Sequence, residues 1–206
     1  MFTGIIYNTA RLDKITQKAG ATSFFFTVVP EALEGIVLGA SVAINGVCLT
    51  VVSLGLGEFV CDAIPETLKK TNLSNLTIGD EVHFERSARM TDEVGGHRLS
   101  GHVYGKAKCI SVVDGDKEGK VVRFSVPFEW MKYILHKGFI AIDGCSLTVV
   151  DPDTKKGEFS VCFIPHTLKS TLFEGIVVSD LVNIEIDSHT QAIVDTVERV
   201  LLEKNK

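Results

Sequence analysis

The chain is written twice: residues from Gly4 to Glu85 reappear, in order, from Gly101 to Glu185, at an offset that moves only between 97 and 100 positions. Ser41-Val-Ala-Ile-Asn-Gly-Val-Cys-Leu-Thr-Val-Val52 aligns with Phe139-Ile-Ala-Ile-Asp-Gly-Cys-Ser-Leu-Thr-Val-Val150, and Phe59-Val-Cys-Asp-Ala-Ile-Pro-Glu-Thr-Leu-Lys69 with Phe159-Ser-Val-Cys-Phe-Ile-Pro-His-Thr-Leu-Lys169. Solenoids and propellers repeat every ~20–50 residues, so a period of about one hundred, occurring twice, marks two copies of a small domain. Such copies juxtapose like surfaces, and the positions at which they differ carry the most information.

At 206 residues and 45% hydrophobic, the chain has material for two modest cores. Its net charge of -5, with no Lys/Arg run longer than a pair, excludes a nucleic-acid footprint. The cysteines at 48, 61, 109, 145 and 162 are odd in number and lack C-x-x-C spacing, a pattern of reduced thiols in a cytoplasmic protein. The N-terminus has no signal-peptide pattern, and no apolar run reaches the ~18 residues of a membrane span. We therefore expect a mature cytoplasmic chain with neither a nucleic-acid nor a membrane partner.

Short β-branched and aromatic runs alternate with Gly, Asn, Asp and Pro in both copies. Strands are expected near Ile5–Ile15, Ser23–Val29, Ser41–Asn45, Val47–Leu54, Glu58–Ile64 and Asp80–Arg86. The second set is His102–Val113, Lys120–Val126, Gly138–Asp143, Cys145–Asp151, Gly157–Ile164 and Leu181–Asp187. Asn45-Gly46 and Asp143-Gly144 suit two-residue hairpins. Pro30, Pro65, Pro127 and Pro165 suit first helical positions. The segment Glu85–Leu99 reads as a linker. The expected architecture is all-β: two tandem six-stranded Greek-key β-barrels related by internal duplication, plus a C-terminal helix. The corresponding domains are 1–97, 98–187 and 188–206. In the helix, over His189–Lys204, Ile193, Val194, Val197, Val200 and Leu201 form one apolar stripe, which either packs on its own barrel or drives self-association.

Most standard catalytic signatures are missing. Gly55-Leu-Gly57 is not a dinucleotide fingerprint, Gly115–Lys120 lacks the Walker spacing, and the six histidines have no zinc spacing, so neither a nucleotide cofactor nor a structural metal is expected. His83 and His189 read as surface residues, whereas His97 and His102 flank the linker within reach of a site. Cys48 reads either as a small buried hydrophobe or as a site residue. Its counterpart Ser146 favours the site, because both are followed two residues on, across one strand face, by Thr50 or Thr148. The helix starts at Asp62–Thr67 and Cys162–Thr167 offer backbone N–H groups either to ordinary capping or to ring carbonyls.

Thr3-Gly-Ile5, Asn45-Gly-Val-Cys-Leu-Thr-Val51, Gly95-Gly-His-Arg-Leu-Ser-Gly-His102, Met131-Lys-Tyr-Ile134, Ser146-Leu-Thr148 and Asn183-Ile-Glu-Ile186, in this order on a duplicated frame, resemble the two-barrel, trimeric riboflavin synthases. The resemblance spans nearly the whole chain; Tyr7, Val47 and Arg98 depart from it. It implies a cofactor-free dismutation of two 6,7-dimethyl-8-ribityllumazine molecules by four-carbon transfer. The products are riboflavin and 5-amino-6-ribitylamino-uracil. It also implies a homotrimer built through the C-terminal helix, with lumazine synthase as a further partner.

Carried over residue by residue, a first-barrel site comprises Gly4, Ile5 and Ile6; Cys48, Leu49 and Thr50; and Asp62, Ala63, Ile64, Pro65, Glu66 and Thr67. A second-barrel site comprises Gly101, His102 and Val103; Ser146, Leu147 and Thr148; and Cys162, Phe163, Ile164, Pro165, His166 and Thr167, with Lys137 reaching over from another subunit. The expected catalytic groups are His102, Ser146 and Thr148 for proton transfer and Cys48 toward the acceptor lumazine. Lumazine proteins and yellow fluorescent proteins, which share the duplicated barrel but hold the ligand as an emitter, are the alternative. Retention of Thr3, Cys48, His102, Ser146 and Thr148 favours the enzyme.

Overall fold

Closely spaced hydrophobic alternation produces two barrels. The structure, a computed structural model, describes residues 1–115 and 119–204, so part of the Gly115–Lys120 turn lies outside the described residues. Strands β1 (Asn8–Lys18), β2 (Ala21–Thr27), β3 (Ser41–Ile44), β4 (Val47–Leu54), β5 (Glu58–Ala63) and β6 (Glu81–Arg86) close in the order β1-β2-β5-β4-β3-β6. Strands β7 (Gly105–Asp114), β8 (Lys120–Ser125), β9 (Phe139–Ile142), β10 (Cys145–Asp153), β11 (Glu158–Phe163) and β12 (Leu181–Ile186) repeat that Greek-key order as β7-β8-β11-β10-β9-β12. Closure leaves no free sheet edge in either barrel.

Alternate residues fill each interior. Val47, Leu49 and Val51 of β4 point in, while Cys48 and Thr50 point out. Phe59 stacks on Phe26 and tilts against Phe84, with 5.2 Å between ring centroids in each pair, and each buried ring contributes roughly 1.5–3 kcal/mol. Register shifts in β1, β4, β7 and β10 bend the long strands around these cores. At the hairpin tips Asn45 and Gly46 have φ of 45° and 75°, and Asp143 and Gly144 have 43° and 81°. These are type I′ turns, as the dipeptides require.

Pro30 opens a 3-10 turn, Pro30–Leu33, while Pro65 and Pro165 open α1 (Pro65–Lys70) and α2 (Pro165–Ser170). Pro127 departs from expectation: it precedes the 3-10 helix Phe128–Tyr133 instead of starting it. The linker is shorter than the sequence suggests, because β6 runs through Arg86 and Leu99 pairs with Phe2.

That pairing reveals how the copies meet. Phe2 N donates to Leu99 O at 2.8 Å and Leu99 N to Phe2 O at 3.0 Å, although the two residues are each other's equivalents. A residue bridged antiparallel to its own copy lies beside a local twofold axis. Ala43 and Ala141 pack with this pair, and the Gly46 and Gly144 tips meet backbone to backbone.

The expected starts of β1 and β7 are also corrected. Ile6 belongs to the core of the second barrel, and Val103 packs against the core of the first. Each leading segment crosses the twofold before its chain enters its own barrel.

His83 is 2% exposed, not a surface residue. Its Nδ1 donates to Asp143 O at 2.9 Å and its Nε2 accepts from Leu172 N at 2.8 Å, which settles the ring as the neutral Nδ1–H form. Around it Asn72 donates to Asp143 Oδ1 at 2.9 Å, and Asn183 Nδ2 reaches both Asn45 O and Asn72 Oδ1 at 2.8 Å. Burial lowers the His83 pKa to about 4, partly countered by the bond to Asp143 O. Burial raises that of Asp143 to about 7, against the donors Asn183 N and Asn72.

Helix α3 (Ser188–Lys204) starts one residue before its expected position, with Asp187 capping Thr190 N at 2.9 Å. Val194 packs on the second barrel, Tyr133 OH donates to Asp195 at 2.5 Å, and Lys132 pairs with Glu198. Ile193, Val197, Val200 and Leu201 remain exposed. No helix among the described residues is long and apolar enough to cross a membrane.

Candidate functional site

Beyond Ala63, where β5 gives way to α1, β4 loses its neighbour on one side. Gly101 supplies the missing acceptor: Cys48 N donates to Gly101 O at 2.9 Å. The second barrel repeats this geometry with the opposite segment, Ser146 N donating to Gly4 O at 2.8 Å. The approach is close enough to require glycine. A Cβ on Gly101 would lie 2.5 Å from Cys48 Cβ, one on Gly4 2.7 Å from Ser146 Cβ, and both residues hold φ near +75° to +78°.

The expected grouping is therefore exchanged. Gly101, His102 and Val103 line a cavity of about 160 Å³ with Val47, Cys48, Glu66 and Thr67 of the first barrel. Gly4, Ile5 and Ile6 run along the second barrel beside Ser146. The trio His102, Ser146 and Thr148 is thus not one cluster: His102 is placed with Cys48. Sequence reasoning missed this because the leading segments have the alternation of strands, and alternation does not say which sheet they join.

The remaining expected residues divide by face. Cys48 and Ser146 are half-buried, Thr50 and Thr148 are exposed on the same outer strand faces, and Leu49 and Leu147 turn into the cores, leaving only their backbones to the sites. Thr50 stands opposite Asp62, whose carboxylate is engaged by Ser23 and by Lys18 at 3.3 Å. Ala63 and Phe163 are buried; Ile64 and Ile164, just before the helices, are more than half exposed and offer apolar platforms. Pro65, Glu66 and Thr67, like Pro165, His166 and Thr167, open α1 and α2, and no side chain caps the N-terminus of either helix.

Lys137 is exposed at φ +63°, where its first-copy counterpart Gly39 has +84°; the two backbone N–H groups make matching 2.9 Å bonds to Val149 O and Val51 O. A lysine in the left-handed region is strained where glycine is not.

One group escaped a firm assignment from sequence. His97 is 6% exposed, lies flat on Phe139 and has Nδ1 2.6 Å from Ser146 Oγ, while its Nε2 is buried without a partner among the described residues. Burial lowers its pKa, offset in part by the Asp187 charge. Among the described residues no histidine is hydrogen-bonded to Cys48, the counterpart of Ser146. The two sites share a frame and differ in side chains: Cys48, Asp62, Glu66 and His102 in one answer to Ser146, Cys162, His166 and Ile5 in the other.

A roomier cavity of about 330 Å³ opens among Asp13, Phe25, Ser53 and Glu58, away from every residue expected to bind ligand. Among the described residues no group of three or more His, Cys, Asp or Glu side chains is arranged to hold a metal.

The lumazine binding domain model matches this chain twice, over residues 3–87 and 100–187. A riboflavin synthase of Escherichia coli (strain K12) is 43% identical over 201 residues, spanning 98% of this chain and 93% of that protein. One from Chlamydia pneumoniae is 39% identical over 206 residues and 100% of both chains. Among solved structures, LumP complexed with riboflavin superposes with a TM-score of 0.81 at 21% identity, covering 90% of this chain and 99% of that one, a likeness of fold.

Proposed function

Since the chain belongs to the lumazine-binding domain family and, within it, to the riboflavin synthases, we propose that it is an enzyme that converts two molecules of 6,7-dimethyl-8-ribityllumazine into riboflavin and 5-amino-6-ribitylamino-uracil. The observation that carries this reading is the pair of sites built on one backbone frame, Cys48 against Gly101 and Ser146 against Gly4, and lined by different side chains. Two identical substrates call for two similar pockets, and a dismutation needs one to donate four carbons and the other to accept them.

The 7-methyl group of a lumazine loses a proton to give an anion delocalised over the ring. Donors aimed at the ring carbonyls stabilise that charge where it develops. Holding two rings together turns an encounter into a step within one complex. We assign Cys48, Thr50, Thr67 and His102 to one lumazine, and Ser146 and Thr148, with His97 behind Ser146, to the other.

The exposed stripe of α3 supports a homotrimer, in which Lys137 reaches a neighbour's pocket and the two half-reactions meet across subunits. Five free thiols support a cytoplasmic compartment, where lumazine synthase is the expected associate.

Mixing the purified chain with the lumazine and following riboflavin absorbance tests the reading. Turnover supports it; tight fluorescent binding without turnover makes the chain a ligand-holding protein instead. Full turnover in both Cys48→Ser and His102→Gln would remove those two residues from the chemistry.

A further inference from the structure

Two buried glutamates, equivalent in the duplication and outside every expected site residue, make the same three bonds to opposite leading segments. Glu85, on β6 of the first barrel, accepts from Thr3 N at 2.6 Å and Thr3 Oγ1 at 2.8 Å through Oε1, and from Gly4 N at 3.2 Å through Oε2. Glu185, on β12 of the second barrel, accepts from Ser100 N at 2.7 Å and Ser100 Oγ at 2.8 Å through Oε1, and from Gly101 N at 3.0 Å through Oε2. The hydroxyls pass the arrangement on, Thr3 Oγ1 accepting from Ile5 N at 3.3 Å and Ser100 Oγ from His102 N at 3.1 Å.

Both carboxylates are more than nine-tenths buried, at 8% and 6% exposure. Burying an acidic group is costly, and three donors each offset that cost. The donors are not sheet partners: they belong to the glycine at each crossing point, where Gly4 meets Ser146 and Gly101 meets Cys48, and to the residue just before it. A core that needed only filling would be better served by an apolar residue. What a carboxylate supplies is a two-ended acceptor that fixes consecutive N–H groups, and with them the direction of the segment that follows.

We propose that Glu85 and Glu185 are positioning residues for the two pockets, and that each serves the pocket of the other barrel. Glu85 sets Gly4–Ile6 against Ser146, and Glu185 sets Gly101–Val103 against Cys48. The pockets are thereby linked, since each wall is held from the opposite barrel. The functional part of this inference rests on the lumazine reading above; the structural part does not.

Glutamine is the discriminating substitution, because its amide offers an acceptor at one end only. Whichever way it turns, either Thr3 or Gly4 in Glu85→Gln, and either Ser100 or Gly101 in Glu185→Gln, faces a donor. The readout is maleimide labelling of Cys48 in the full chain, located by peptide mass spectrometry against the exposed Cys162 as reference. Glu185→Gln should speed Cys48 labelling about threefold or more while Glu85→Gln leaves it within about 1.5-fold, effects that correspond to partial opening of a local contact. In a Ser146→Cys background, Glu85→Gln should speed labelling at position 146 and Glu185→Gln should not.

Should either glutamine variant fail to fold, Thr3→Ala and Ser100→Ala, which remove only the hydroxyl from each set, report the same crossed pattern. Labelling that rises in the barrel carrying the substitution, rises equally in both, or stays unchanged in a folded Glu185→Gln protein overturns the proposal. Because labelling needs no substrate, that outcome is distinct from failure of the riboflavin assay. In the working enzyme the crossed effect should raise KM about tenfold with kcat reduced less.

Discussion

His97 Nδ1 stands 2.6 Å from Ser146 Oγ, in one of the two pockets only. Its stacking on Phe139 fixes the ring, and burial keeps it neutral, so Nδ1 is available to accept the serine proton when Nε2 carries the hydrogen.

His97→Gln is accordingly expected to lower kcat by about a hundredfold, at the modest end of the ~10²–10⁴ that positioned proton transfer supplies. Riboflavin affinity should stay within about twofold. Because burial lowers the His97 pKa below 6.5, the neutral form persists into mild acid, and the wild-type rate should fall only at lower pH. Stopped-flow profiles check this: an acid limb unchanged in His97→Gln assigns that limb to another group.

The network between the barrels predicts a concealed pH dependence. His83, with a folded pKa of about 4 against an ordinary 6.5, destabilises the fold as pH drops from 6.5 toward 4, when the unfolded chain takes the proton more readily. Asp143, with about 7 against 3.8, acts in reverse: its stabilisation is full below 3.8 and is lost as pH rises to 7. The slopes oppose one another between pH 4 and 6.5. Asp143→Asn, which copies the Asn45-Gly46 turn, should unmask the His83 slope of at most about 1.4 kcal/mol per pH unit. Urea titrations at several pH values read it directly, and a variant whose stability stays flat across that window contradicts the assignment.

Lys137→Gly separates conformation from binding. Glycine relieves the left-handed strain but frees the unfolded chain, two effects of about 1 kcal/mol that oppose each other, so the melting temperature should barely change. KM for the lumazine should rise about fivefold, as expected for loss of one charge-assisted contact. A large stability change with unaltered KM makes Lys137 a turn residue only.

On α3, Val197→Glu should leave the helix folded, because the position is solvent-exposed in the single chain, yet break the proposed threefold seam. Light scattering should give monomers, and turnover should fall with the loss of cross-subunit pairing. A trimer that survives both this change and deletion of residues 188–206 places the contact elsewhere.

Much of the architecture is legible in the sequence. The duplication, the Asn-Gly and Asp-Gly turns and the inward positions of β4 all follow from periodicity and turn chemistry. His83 and Glu85 show where that reading stops: in β6 they alternate with inward Val82 and Phe84, so the pattern assigns them to an outer face, and only the second barrel and the crossing segment make that face an interior. The exchange of Gly4–Ile6 for Gly101–Val103 is invisible for the same reason. Local alternation encodes which side of a strand is apolar but not which neighbour covers the other.

The bridge between Phe2 and Leu99 also shows what the covalent link does for the molecule. A contact between a residue and its own copy asks only for a twofold between like barrels, so the chain ties together an interface that this symmetry already specifies. Because both halves lie in one chain they need not stay identical, and Cys48 and Ser146 differ across a frame whose backbone bonds still match.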